Sequence, residues 1–502
     1  MSSCSTPPRR GRSSARSGYR SRATRAALIL LSLSSAVPLR AGGEGPAPAA
    51  AHAAAARSVM LNGATFVDRG LVGTGSVPAD TLDFLGDTLG SFSSLQIAPG
   101  SWRRVGDHYE GVLWTLPDRG RNDPSAKLFF DYAARLERFR LRFNPADGRV
   151  DLAPDGGLEL TDFRGKPFTG ADPGSGTVRE RGVRLPAPAS GTGAGKVSID
   201  AESLQFTRDG SFYIGDEYTA NVYFFGPDGR LRGVVTPPPA IVPTCSGKPC
   251  FGSLTSPDSG RRNNQGPEGM SLSPDGRTLF VALQSALMQD SAKGGAGRTD
   301  IRVLAYDVSR TPTPKRPVAH YAMQLPTYAK GGEGAPDSTA AQSEIRAIDG
   351  HRFLMLARDG AGIGSGGTPV YKRILVVDVA GASDLAGSEY ETGAASLLRN
   401  GAGTALKPGI VPAQWAELVD MLDPEQLSRV GLDVAQLSEK WEALDLVSVL
   451  EPEHPDDYFL IVGNDNDFIA RHCRMSGQSC DSAFDNDNRV LVYRLTLPGP
   501  LR

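Results

Sequence analysis

From about residue 90 the chain alternates between short apolar runs and clusters of Gly, Pro, Asp and Asn. In NQGPEGMSLSPDGRTLFVALQSA (264–286) two such runs flank Pro274-Asp275-Gly276-Arg277, which reads as strand, tight turn, strand. An Asp-Gly pair tolerates the positive φ that a hairpin turn needs. The same order recurs in ESLQFTRDGSFYIGDE (202–217), turning at Asp209-Gly210, and in EIRAIDGHRFLMLARD (344–359), turning at Asp349-Gly350. Each copy is an acid, an apolar strand, a turn, a second apolar strand and a polar end. Looser copies lie at 93–120, with Ser93 in the acid position, and at 445–467, with Asp445 there.

Further strand candidates fill the gaps, at 128–143, 222–226, 301–308 and 373–379. An inner hairpin followed by outer strands, repeated along a chain, predicts an all-β fold of the β-propeller type. Five copies are visible and the long gaps leave room for another, so the expectation is six blades. Residues 488–497 are placed to close the ring against the N-terminal segment. The Gly/Pro/Ser-rich stretch 165–198 reads as a loop. Across 412–444 the spacing of Trp415, Leu418, Val419 and Leu422, then Leu427, Val430, Leu437 and Trp441, predicts a small helical insertion on one face. Pro424 marks a first helical turn within it.

Composition adds to this picture at both ends of the chain. The 59 Gly and 37 Pro suit a turn-rich β protein. Residues 1–57 differ from the rest: basic residues, the apolar run 26–37, then an Ala/Pro-rich stretch, together an export signal and linker ahead of one propeller domain at 58–502. The apolar run is short for a bilayer span and no later stretch resembles one, so the mature chain is expected in the periplasm or outside the cell, without a membrane span. Residues 1–50 hold eight Arg against one acid, so of the overall charge of −2 the remainder carries −9. That acidic body disfavours nucleic acid as a partner and suits the binding of cations. Cys4 lies in the leader, while Cys245/Cys250 and Cys473/Cys480 form two close pairs, expected as local disulfides. Other pairings and a four-thiolate zinc site are alternatives, although neither spacing is Cys-x2-Cys.

The acids give the candidate chemistry. In a propeller the innermost strands line a central channel and present equivalent ends to one face. Glu202, Glu268, Glu344 and Asp445 would then converge, with Asp216, Glu217, Gln284, Asp359, Asn464 and Asp465 rimming the same mouth. Carboxylates that close together need a cation or shared protons. An all-oxygen set without clustered His or Cys favours Ca2+. Arg119, Arg346 and Arg358 are suited to grip phosphate, because a guanidinium fork matches its oxygens. The alternative is a set of structural ion pairs plugging the channel. NDNDF (464–468) is a candidate ligand run, and DNDN (485–488) reads as an ordinary turn. No G-x-S-x-G elbow occurs and the six His are scattered, which disfavours nucleophilic serine or histidine catalysis. SGTGAGKVS (190–198) lacks the first Gly and the Ser/Thr of a phosphate-binding P-loop.

The ordered set DAESLQF…GDEY, NQGPEGMSLSPDG…LFVALQS, SEIRAIDG…LARDG and IVGNDNDF resembles the phytase-like family, described by its "esterase-like activity of phytase". That resemblance covers roughly 90–470. It implies a propeller related in shape to the calcium-using β-propeller phytases, and hydrolysis of small-molecule phosphate esters. A non-catalytic binding platform, or metal-dependent hydrolysis of a carboxylic ester or lactone, are the competing functions.

Overall fold

Strands that are apolar on both faces, joined by tight polar turns, can bury both faces only by stacking sheet on sheet around an axis. The computed structural model describes residues 56–291, 297–401 and 403–501, and shows that arrangement. The expected export segment lies outside the described residues except for its last two positions, and Arg57 already opens a strand, Arg57–Leu61.

Among the described residues three four-stranded antiparallel sheets form beside one ten-stranded sheet, which divides into two further four-stranded blades at its parallel step, Thr74 opposite Arg149. Blade 1 runs from its inner strand Ser94–Ile97 through His108–Leu116 and Arg135–Asn144 to Arg149–Glu159. Blade 2 comprises Ala201–Phe206, Phe212–Asp216, Val222–Phe225 and Leu231–Val235, and blade 3 comprises Pro267–Leu272, Thr278–Leu283, Asp300–Asp307 and Ala319–Gln324. Blade 4 is Ala341–Ala347, Arg352–Arg358, Lys372–Asp378 and Gln414–Asp420. Blade 5 combines Lys440–Ser448 and Asp457–Asp465 with the C-terminal Asn488–Thr496 and, outermost, the N-terminal Ala64–Val77. Ring closure by 488–497 is therefore as expected, with Thr74 opposite Leu491 and Val77 opposite Asn488.

The expected six blades become five. The inner strands touch in the cyclic order 1-2-3-4-5-1, with no gap for another. Five apolar clusters match this ring one to one, each filling an interface between neighbouring blades. Leu354 and Ile374 of blade 4, for example, pack on Leu444 and Leu460 of blade 5. The surplus chain length goes instead into loops and short ribbons, such as Thr177–Glu180 with Val183–Pro186 and Thr244–Cys245 with Lys248–Pro249.

The helical insertion at 412–444 is also corrected. Trp415, Leu418 and Val419 belong to the outer strand of blade 4, and Trp441 to the inner strand of blade 5. Leu418 and Val419 are both buried because a bulge opposite Ile374 and Leu375 breaks strict alternation, and the resulting spacing imitates a helix. Only Pro424–Arg429 is α-helical, capped by the Asp423 side chain with Pro424 in the first turn. Disulfides join Cys245 to Cys250 and Cys473 to Cys480, as expected from their spacing.

Candidate metal centre at one mouth of the channel

The inner strands of blades 2 to 5 carry a bulge near their first residues. The extra residue is Glu202 in blade 2, Glu268 in blade 3, Ser343 in blade 4 and Glu442 in blade 5. A bulged residue leaves the ladder, so its side chain is freed from the up-down alternation. In blades 2, 3 and 5 this places a carboxylate at the mouth: oxygens of Glu202, Glu268 and Glu442 lie within 4.8 Å of one another. The second strand of each blade ends beside the start of the first, as Ala201 opposite Asp216 and Lys440 opposite Asp465 show. Those strand ends therefore rim the same mouth. Asp118, following the second strand of blade 1, approaches Asp200 and Glu202 on one side and Asp465 and Asp467 on the other, again within 4.8 Å. Glu202 and Asp118 each belong to two such trios, so the carboxylates form a continuous chain.

Four cations thread this chain. Arg119 pairs with Asp200 at 2.6 Å and also reaches Asn264. Arg358 pairs with Glu442 and donates to Ser343 Oγ. Lys440 lies 3.2 Å from Asp465 and 2.6 Å from Asp467. Arg261 is buried and donates to the carbonyls of Tyr218 and Phe251. The balance stays negative, and burial raises the carboxyl groups. Asp118 and Glu217 are each pushed up to about 7, and Glu202, Glu268 and Asp465 well above the usual carboxylate range, in every case first by loss of water and then by neighbouring charges. Burial works against the charge on Arg119 and Lys440, but the neighbouring carboxylates outweigh it and hold both protonated.

Several of these oxygens have no hydrogen-bond donor. Gln284 donates to Glu268 Oε1, but Glu268 Oε2 is buried and unbonded, as are Asp200 Oδ1 and Glu217 Oε2. A buried acceptor without a donor is costly and rare, and calls for a missing partner. A calcium ion takes six to eight oxygens at about 2.4 Å, so two oxygens on one ion lie at most about 4.8 Å apart. The donor set and its spacing fit that ion. Three of the ten non-glycine residues with positive φ among the described residues lie here, Asn264, Asp467 and Phe468, with φ of 53°, 52° and 53°.

Of the residues expected at the site, Glu202, Glu217, Glu268, Asp465, Arg119 and Arg358 gather at this mouth. Glu344 and Asp445 do not. They sit further along their strands, one and three positions past the bulges, because a shift of a single residue moves a side chain to a different layer. Glu344 lies in the middle of the channel, accepting from Ser94 Oγ at 2.5 Å and from the Met270 and Ile345 amides. Gly269 makes room for this: a Cβ there would meet the Ile345 nitrogen at 2.9 Å. Asp445 pairs with Arg346 at 3.2 Å near the opposite mouth, where Arg346 also donates to Gln205. Asp216 accepts from the Asp200 and Thr219 amides and the Tyr223 hydroxyl. Asp359 holds Lys372 and the Val370 and Tyr371 amides. Asp467 falls in the candidate ligand run NDNDF, whereas Asp118, Asp200, Glu442 and Lys440 were not among the expected residues. Asp118 and Asp200 stand beside motif residues, in PDRG and DAES, so adjacency to the strand ends was their one available signal.

Glu344 offers a test separate from the mouth. Burial pushes its carboxyl up to about 8, so the folded chain binds a proton there that the unfolded chain, near 4.5, has released. Stability from this group is present below about pH 4.5 and is lost as pH rises through 8, at no more than about 1.4 kcal/mol per pH unit. Glu344→Gln is expected to flatten the decline of stability between about pH 4.5 and 8 in denaturant titrations. An unchanged slope would remove Glu344 as its source.

A channel capped at one end by oxygen ligands defines a β-propeller with a candidate cation site at its axis. The chain belongs to the phytase-like family, described as esterase-like activity of phytase, whose model matches residues 88–468. A relative from Arthroderma benhamiae, described as an uncharacterized secreted protein, is 33% identical over 457 residues, covering 81% of this chain and 88% of its own. Among solved structures, a GH43 β-1,3-galactosidase with galactodeoxynojirimycin superposes with a TM-score of 0.33 at 9% identity, over 84% of this chain and 94% of that one. The allergen Mala s 1 of Malassezia sympodialis does so at 0.29 and 11%, over 87% and 88%. No helix among the described residues is long and apolar enough to cross a membrane.

Proposed function

We propose that this chain is an exported, calcium-dependent hydrolase of small-molecule phosphate esters, acting at the acidic mouth of the propeller. The observation that carries this reading is the set of buried, unbonded oxygens on Asp200, Glu217 and Glu268 beside Glu202. Asp118, Asp200, Glu202, Glu268 and Glu442 are the residues that would hold calcium. Bound there, the ion would neutralise phosphate oxygens and polarise a water. Arg119, whose Nε is unbonded, is placed to hold a phosphate oxygen. Glu217, raised to about 7 and with one free oxygen, is suited to take a proton from the attacking water near neutral pH. The water oxygen bonds phosphorus as the ester P–O bond breaks, and the proton that Glu217 took from the water passes to the departing alkoxide, giving phosphate and an alcohol. Glu344, Asp445, Arg346, Asp216 and Asp359 hold the scaffold, since each is already bonded within it. Export is supported by the two disulfides and by the description of the relative as secreted.

The test is release of phosphate from an aryl phosphate by purified protein with calcium, alongside a carboxyl ester, each with and without chelator. Calcium-dependent phosphate release is expected, falling at least about a hundredfold on chelation. Release that chelator leaves unchanged would defeat the metal mechanism, and turnover of the carboxyl ester alone would move the function to that class.

A further inference from the structure

On the face that carries the acidic mouth, but off the axis, a cavity of about 200 Å³ sits over blade 5. It lies where the inner strand Lys440–Ser448 begins, the second strand Asp457–Asp465 ends and the closing strand Asn488–Thr496 begins. None of its lining residues belongs to the carboxylate trios of the mouth.

Two of those lining residues lack the partners their chemistry calls for. Trp441 is fully buried, and its indole N–H has no acceptor among the described residues. Indole nitrogen can only donate, and a buried donor left unpaired is rare. Arg489 is half-buried, and burial works against its charge. Its backbone amide donates to Asn464 Oδ1, but its guanidinium forms no ion pair or hydrogen bond among the described residues.

Acceptors are left over as well. Asp487 spends one oxygen on the Ala79 amide, and Asn486 gives its amide group to Ser438 Oγ and the Asn466 carbonyl, so each keeps an oxygen to offer. Asp485 also lines the cavity, but it accepts from the Arg471 amide at 2.7 Å and lies 3.7 Å from the Arg471 guanidinium. One guanidinium and one carboxylate remain, so the cavity has no net charge with which to select an ion. It sets donors beside acceptors instead, and a hydroxyl is the group that meets both with a single oxygen. The volume falls below the range of about 300–1,000 Å³ that drug-sized ligands occupy, which limits the occupant to a small molecule.

We infer that this cavity binds a neutral polyhydroxylated molecule, a single sugar ring or a short polyol. Its neighbouring hydroxyls accept from the Trp441 indole and the Arg489 guanidinium and donate to Asp487 and Asn486. The site goes beyond the hydrolase reading and does not depend on it, because its test reads binding and not turnover.

The experiment uses the full chain with isotopically labelled tryptophan, followed by NMR. The four indole N–H signals come from Trp102, Trp114, Trp415 and Trp441, and the one lost in Trp441→Phe belongs to the cavity. Titration with glucose, galactose, ribose and xylitol is expected to move that signal saturably for at least one of them, with half-saturation at about 10 mM or below. The other three signals stay in place. Arg489→Ala breaks no side-chain bond of the fold, so its melting temperature should match the parent's while the affinity falls about tenfold or more. A Trp441 signal that none of the four compounds moves at about 100 mM would show a cavity that holds water only, and would overturn the inference. Movement by glycine or acetate without movement by the sugars would assign the cavity to a charged ligand and overturn it too. So would an affinity that Arg489→Ala leaves unchanged.

Discussion

Glu202→Gln is expected to raise the melting temperature of the metal-free protein at pH 8, to abolish the further rise that calcium gives, and to lower calcium-dependent turnover about a hundredfold or more. These effects share one cause. Glu202 is 8% exposed, and Glu268, Asp200 and Glu217 are the charges that oppose its ionisation. Keeping that carboxylate charged without a counter-ion costs folding free energy, and a neutral amide of equal size relieves it by about 1 kcal/mol or more. Calcium that binds only the folded chain adds about 2.7 kcal/mol at a hundred times its Kd. Removing a ligand shared by two carboxylate trios takes that increment away. A structural ion pair behaves in the opposite sense, since losing one partner strands the other and destabilises the protein. Glu344→Gln serves as the control, because that residue lies outside the trios and should keep the calcium response. Scanning calorimetry with and without calcium decides the matter. A Glu202→Gln protein stabilised by calcium as much as the parent would end the metal reading.

How far these features can be read in the amino-acid sequence depends on whether they obey local rules. The hairpins at Asp209-Gly210, Asp275-Gly276 and Asp349-Gly350 are legible because turn chemistry and apolar runs are both local. The closing strand is legible because Asn488–Thr496 comes last in the chain: it pairs with the preceding Asp457–Asp465 and leaves its other edge to the N-terminal Ala64–Val77. Register is a different matter. In blade 4 the motif acid is Glu344, but the bulge falls on Ser343, and in blade 5 it falls on Glu442 instead of Asp445. A bulge is a property of two paired strands, and nothing in one strand's composition announces it. The same blindness turned the strand at Gln414–Asp420 into an apparent helix. Blade number failed for a further reason: the lengths between motifs do not distinguish a blade from loops clipped by disulfides, such as the one closed by Cys245 and Cys250. Glu202, Glu268, Glu217 and Asp465 come to one mouth because symmetry brings equivalent positions together whatever the count, while Asp216 and Asp359 are spent on the fold.

That symmetry depends on closure, and truncation after Asp487 is expected to abolish cooperative folding. Asn488–Thr496 is not an edge strand: it is bonded to Asp457–Asp465 on one side and to Ala64–Val77 on the other. It contributes Val490, Leu491, Val492, Tyr493 and Leu495, each no more than 1% exposed, to the clusters on both faces of blade 5. At roughly 1.5–3 kcal/mol for each buried side chain, the loss reaches the whole stability of an ordinary domain, about 5–15 kcal/mol. Its absence also leaves two facing ladders of unpaired amides and carbonyls, a template for aggregation. Deleting the N-terminal residues up to Val77 is expected to be milder, because that strand is outermost and Asn488–Thr496 would keep its partner in blade 5. Phe66 and Leu71 would still be lost from the core, so a lowered melting temperature with a retained transition is the expected result. Circular dichroism melts of the two truncations make the comparison. A chain ending at Asp487 that unfolds cooperatively within a few degrees of the intact protein would show that the ring does not need its C-terminal strand, and the convergence of acids at the mouth would then have to rest on each blade alone.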